Sequence, residues 1–192
     1  MENKNKETVN QTNKVVVESK YRKDLHRSFY LIHMFRRSLS IYFIFLLAAF
    51  VIYMAVKQTI ATPTETKTII SVWVLSFATV MITPMIMFFR ISSATKREAE
   101  ARKDTVEILE ITKDKILRKI NNESKLTLGW YNVDTIYETE EAFFIYINDD
   151  QGLVVAKDGI VKGDSELLRK LAMNNLKPNK KGKVPFKKIY KD

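Results

Sequence analysis

The chain has no cysteine among its 192 residues, which excludes disulfides, iron–sulfur clusters and thiolate zinc sites. Histidine is almost as scarce. His26 and His33 lie seven positions apart and have no third ligand beside them, so they are read as interfacial or hydrogen-bonded imidazoles rather than as a metal site. Five glycines, at 129, 152, 159, 163 and 182, are too dispersed to build a phosphate-cradling loop, and neither G-x-S-x-G nor H-E-x-x-H occurs. The acidic pairs Glu140-Glu141 and Asp149-Asp150 fall at turns, where solvated charge is ordinary. No catalytic residue, cofactor or metal site is therefore expected, and the chain reads as a non-enzymatic protein.

Charge itself is missing from two long stretches, SLSIYFIFLLAAFVIYMAV (38–56, nineteen residues) and TIISVWVLSFATVMITPMIMFF (68–89, twenty-two residues). As helices they would be about 28 and 33 Å long, close to the roughly 30 Å of a hydrocarbon core. Neither keeps the polar stripe of a helix in a soluble core. A cleaved signal peptide has a short charged leader, whereas thirty-seven residues precede the first run here. Residues 38–89 therefore read as a transmembrane hairpin with an outer loop at 57–67, KQTIATPTETK. Arg36, Arg37 and Arg90 sit at its ends, as cations do where apolar helix meets headgroups.

Lysine and arginine concentrate on one side: nine in residues 1–37 and five in 90–103, against two in the loop. Cytoplasmic flanks carry that excess, so both termini are expected in the cytoplasm, with a two-span protein in the cytoplasmic membrane. Pro84 should kink the second span. Ser76, Thr79 and Thr83 share a face that either packs against the Ala48/Ala49 region or a second copy of the chain, or bonds to its own helix backbone. Neither span holds an ionisable group, which argues against a transport mechanism, since ion paths and proton relays place charges at membrane depth.

The formal charge of +10 is concentrated beside the membrane segments and in the last sixteen residues, KPNKKGKVPFKKIYKD, which carry seven lysines and one acid. This 177–192 tail is expected to be disordered. Lys177, Lys180, Lys181, Lys183, Lys187 and Lys188 would be drawn to an anionic inner leaflet at about 1 kcal/mol each, or would simply be solvated. Nucleic acid is not an expected partner, because no interleaved aromatic platform accompanies the charge.

Residues 1–14 are polar and expected to be disordered. In 15–37, Val15 to Val17 form a short β-branched run. Tyr21, Leu25, Phe29 and Ile32 then recur at helical spacing in an amphipathic helix that lies in the membrane interface or packs on a cytoplasmic domain. Residues 90–104 continue the second span as a polar helical connector. From Thr105 the period becomes two, with turns at Lys113-Asp114, Asn121-Asn122-Glu123, Glu140-Glu141 and Asp149 to Gly152, giving five or six short strands in an antiparallel meander. Asp164 is placed to cap a last helix bearing Leu167, Leu168 and Leu171, which closes a domain over 105–176. Two N-glycosylation patterns, at Asn10 and Asn122, would face the cytoplasm and go unused.

These residues carry a resemblance. Trp130-Tyr131-x-Val133, Ile136-Tyr137-Glu138-Thr139, the strand Phe143 to Ile147, and Leu153-Val154-Val155-x-Lys157 before a leucine-bearing helix resemble the YcxB-like family over residues 15–176. Its members are small bacterial membrane proteins with a two-span hairpin and a carboxy-terminal domain related to pleckstrin homology (PH). The resemblance implies an α+β membrane protein: a transmembrane hairpin plus a small antiparallel PH-like β-barrel, partly open and capped by the carboxy-terminal helix, with the Val15–Val17 run joining its sheet. It brings no catalytic residues. The family tends to have Pro-Lys where this chain has Ala156-Lys157, a change that bears on how that strand ends.

Three functional readings follow. In the first, the hairpin anchors a PH-like interaction domain at the inner leaflet of a bacterial membrane, and the domain binds a membrane or cytoplasmic protein by a strand edge or barrel mouth. Trp130, Tyr131, Tyr137 and Tyr146 are the candidate partner contacts if their rings are exposed. The second is an immunity protein against a membrane-active bacteriocin, and the third an accessory subunit of a membrane complex. The second rests on analogy, since a fold does not fix a function.

Overall fold

A computed structural model describes residues 14–61, 66–148 and 151–190. The expected disorder of the first thirteen residues, the Asn10 pattern, Pro63 of the loop, the Asp149-Asp150 turn and the last two residues of the tail lie outside the described residues. The chain divides into two compact units, Tyr30–Arg97 and a second made of Met1–Phe29 with Glu98–Asp192.

Helix α1 spans Lys23–Arg36 and runs from the second unit into the first. In the first unit, α2 spans Ser40–Ala61 and α3 spans Thr66–Ala101. Helix α2 continues past the end of its uncharged stretch, because Lys57 and Gln58 are good helix formers and a lysine ends an apolar surface without ending a helix. Helix α3 is unbroken over 36 residues, with Pro84 inside it. Ser76, Thr79 and Thr83 donate their hydroxyls to the carbonyls of Val72, Leu75 and Thr79, so all three bond to their own helix. Trp73 Nε1 joins α3 to α2 through Thr59 Oγ1 at 3.0 Å, and Ala55 and Ser76 are buried whereas Ala49 is exposed. Both helices are long and apolar enough to cross a membrane, and about 6% of the most apolar window of each is buried.

The second unit is two sheets and a helix. The strands are β1 (Val15–Lys20), β2 (Val106–Ile111), β3 (Lys115–Ile120), β4 (Glu123–Gly129), β5 (Thr135–Glu138), β6 (Ala142–Tyr146), β7 (Gly152–Ala156), β8 (Ile160–Lys162) and β9 (Phe186–Lys188), and helix α4 is Ser165–Asn175. One sheet has the order β4-β3-β2-β1-β8 and the other β7-β6-β5-β9. The expected barrel is thus two separate sheets and not a closed one. It is also not wholly antiparallel, since β9 pairs parallel with β5. The valine run does join the sheet: Val15 lies opposite Ile111 and Lys20 opposite Val106, with β8 on the other side.

Local chemistry explains the path. Asn121 and Asn122 take positive φ values of 50° and 67°, the twist a two-residue hairpin needs, and join β3 to β4. The stretch from Lys125 to Thr139 is not one continuous run of strand. A 3₁₀ turn at Trp130–Asn132 breaks it, and there the chain leaves the first sheet for the second. Asp164 caps α4 by accepting from Leu167 N–H at 2.7 Å. Leu168, Leu171 and Ala172 of this helix then pack into a core with Val15, Val17, Leu109, Ile111, Ile136, Phe143, Ile145 and Val155.

Strand β6 is buried at all five positions, which is why AFFIY reads as a continuous apolar run instead of an alternation. Phe143 and Ile145 belong to the main core. Alternating with them, Phe144 and Tyr146 point the other way and meet Phe29 of α1, with ring centroids 6.0 and 4.7 Å apart, and Tyr146 Oη donates to the Phe29 carbonyl at 3.0 Å. The amphipathic helix therefore turns Leu25 and Phe29 to the domain. The tail also differs from expectation: a turn at Asn179 to Lys183 returns the chain to β9, at the edge of the second sheet.

Removing the Phe29 ring should cost about 3–5 kcal/mol, the range for a buried phenylalanine, and Tyr146→Phe about 1 kcal/mol for one hydrogen bond. Denaturant unfolding followed by Trp130 fluorescence in a Trp73→Phe background measures both. Equal, negligible effects would show that α1 does not pack on β6.

Candidate functional site

Glu138 ends β5 and is fully buried. It lies two residues beyond Ile136, a core residue, so strand alternation puts its carboxylate on the core side. A buried carboxylate has to be paired. Arg169 of α4 approaches it with Nε at 3.0 Å and Nη2 at 2.7 Å, Lys157 at the end of β7 with Nζ at 2.9 Å, and Tyr190 beyond β9 with Oη at 2.7 Å. Ile189 N–H adds a bond to the Glu138 carbonyl. Lys157 Nζ also lies 4.9 Å from the Phe143 ring centroid and 4.8 Å from that of Tyr190.

Burial by itself would raise the Glu138 pKa. The hydrogen bonds from Arg169, Lys157 and Tyr190, with the charge of Lys157, outweigh it and hold the carboxyl at about 2. Arg169 is correspondingly pushed up by its bond to Glu138. One carboxylate thus ties together β5, the end of β7, α4 and the tail. Both carboxylate oxygens accept hydrogen bonds in this arrangement, which makes it a lock on the fold. Sequence alternation could have found Glu138, since its face is set by Ile136, but its partners come from three distant segments.

Of the four aromatic contacts expected, three are core. Trp130 is buried and donates Nε1 to the Thr112 carbonyl at 2.9 Å, Tyr146 is sealed under Phe29, and Tyr137 packs edge-on to Tyr146 at 5.7 Å. They fall inside because Trp130 opens the 3₁₀ turn under the first sheet and because β5 and β6 are covered on both faces. Tyr131 is the exception, 79% exposed. Its ring stands over Gly129, where an added Cβ would come within 2.3 Å of it, so the glycine makes room for the aromatic.

Tyr131 rims a groove of about 760 Å³. Its lining comes from residues 131–135, from Ile147 and from the tail, with Lys177, Pro178, Lys183, Phe186 and Lys187. The six tail lysines among the described residues are exposed, but they divide: Lys177, Lys183 and Lys187 line the groove, while Lys180, Lys181 and Lys188 do not. Lys187 Nζ stands 5.3 Å from the Tyr137 ring centroid. Arg36 and Arg90 are exposed and Arg37 is half-buried. Among the described residues no three metal-binding side chains converge.

Residues 111–172 match the YcxB-like protein family, and the chain carries a domain of that family there. The match is narrower than the 15–176 of the resemblance. It takes in Glu138, Lys157 and Arg169, but not β1, the apolar helices or Tyr190. No curated protein and no solved structure matches the chain.

Glu138→Gln should destabilise the fold by about 3–5 kcal/mol at neutral pH, because it strands two cations without their charge partner. The native pKa is depressed, so the stabilisation is complete above the ordinary value near 4.5 and is lost as pH falls through about 2. Denaturation midpoints of wild type should therefore fall over that interval more steeply than those of the variant. Parallel curves would mean that Glu138 is not the titrating group.

Proposed function

We propose that this chain, with its YcxB-like domain at residues 111–172, is a membrane-anchored binding module: α2 and α3 span the bilayer and the β domain takes a protein partner on the cytoplasmic side. The observation that carries the reading is the exposure of the apolar side chains of α2 and α3. Phe43 is 70% exposed, Ile60 75% and Phe77 67%. Apolar surface of this extent belongs in lipid or against another protein, because water penalises it at about 25 cal/mol per Å². The uncharged stretches have spanning length, and the lysines and arginines favour cytoplasmic termini.

The remaining cations divide the work. Arg36, Arg37 and Arg90 close the apolar segments, and Lys180, Lys181 and Lys188, outside the groove, attract an anionic leaflet. A binding role fits the second unit better than catalysis, because the one carboxylate strongly perturbed among the described residues, Glu138, is engaged in structure. Tyr131 and the groove beside it are the surface offered to the partner.

The cysteine-free sequence permits a clean test. Single cysteines at position 57 and at position 131 should respond oppositely to a membrane-impermeant maleimide in intact cells: labelled at 57, protected at 131 until the membrane is opened. The wild-type chain should stay with membranes in alkaline carbonate. Release by carbonate, or labelling at 131 in intact cells, would contradict the proposal.

A further inference from the structure

We infer that the groove beside Tyr131 is a docking site for an acidic, extended segment of a protein partner, with apolar side chains alternating with the acids. The inference rests on the binding-module reading and names the partner's chemistry. Three features of the groove select it. Its rim is cationic, with Lys177, Lys183 and Lys187 against a single acid, Asp134. Both Lys177 and Lys183 are exposed, and neither has an ion pair among the described residues. Beside Asn132, Thr135 and Asn179 the lining also offers apolar surface: Ile147, Val184 and Phe186 are each only partly covered and packed on the main core.

Shape points the same way. At about 760 Å³ the groove falls in the range of small-ligand sites, about 300–1,000 Å³, yet it is an open furrow whose far wall is an edge strand. A compact anion such as a phosphate group would use the lysines and leave Ile147, Val184 and Phe186 uncovered. A segment with acids at every second position would instead place carboxylates on the lysine rim and apolar side chains on Ile147 and Phe186, because side chains of an extended chain alternate. Tyr131 supplies a rigid, exposed ring at the end of the groove, the kind of residue that dominates binding surfaces. The lysines outside the groove serve as an internal control, since they carry the same charge in the same tail.

The test uses the full chain in nanodiscs of zwitterionic lipid and a dye-labelled peptide, Glu-Leu-Glu-Phe-Glu-Leu-Glu, read by fluorescence anisotropy. The peptide with glutamine in place of each glutamate should bind at least tenfold more weakly. Lys177→Gln with Lys183→Gln should weaken the acidic peptide at least tenfold, Tyr131→Ala at least fivefold, and Lys180→Gln with Lys181→Gln less than twofold. Equal losses from the two lysine pairs would overturn the inference, because the tail would then act only through its net charge. So would equal binding of the acidic and neutral peptides. If the acidic peptide does not bind, the inference is overturned; protection of Lys177 and Lys183 from acetylation in nanodiscs containing phosphatidylglycerol, but not in zwitterionic ones, would then assign the site to lipid headgroups. In all these cases carbonate resistance and maleimide protection stand apart, so the groove can fail while the anchored-module reading survives, and the reverse.

Discussion

Strand β1 is the constraint on which the rest of this structure depends. It is a central strand, with β2 on one side and β8 on the other, yet it precedes both apolar helices in the chain. Because Lys20 lies opposite Val106, the whole of residues 21–105 is an excursion that leaves the sheet and returns to the neighbouring strand. Tyr21 and the end of α3 meet at this junction, through the Tyr21 hydroxyl on Glu98 Oε2 at 3.2 Å and the Arg102 guanidinium 5.8 Å from the Tyr21 ring centroid. Without β1, two inner strand edges would lose every backbone partner it supplies. The β domain is therefore discontinuous in sequence, and the apolar helices are an insertion within it.

Glu138 performs the corresponding closure at the other end. A buried ion pair is weak grounds for stability when compared with apolar packing, because desolvation opposes the Coulomb gain. Its value is in specification: one carboxylate accepts from α4, from the end of β7 and from the tail, and all three must be in place for it to be satisfied. This explains how a lysine-rich tail becomes ordered. Phe186 packs towards Phe143, Tyr190 reaches Glu138, and the backbone of Pro185 and Ile189 brackets β5. The order of the tail in turn creates the groove, since half its wall is tail.

Elements written in local periodicity were legible in the sequence. The two apolar helices, the β2-β3-β4 meander, the Asn121-Asn122 turn and the Asp164 cap all depend on residues within a few positions of each other. Parts that depend on distant partners were not. Composition marks KPNKKGKVPFKKIYKD as a disordered tail, and nothing local reveals that Tyr190 will find a buried glutamate fifty-two residues away. The burial of the aromatics was hidden for a related reason: Tyr137 and Tyr146 sit in strands buried at every position, and Tyr146 is covered by Phe29 of α1, which lies before the apolar helices. Only Tyr131, on the turn between sheets, escaped it.

The central claim is that β1 and the start of α1 complete a domain into which the apolar helices are inserted. The direct measurement compares residues 98–192 alone with residues 14–32 joined to 98–192 by a flexible linker, both without the apolar helices, by denaturant unfolding. The joined chain should unfold in one cooperative transition and the shorter chain should show none. Identical transitions in the two, or no folding in the joined chain, would contradict the account.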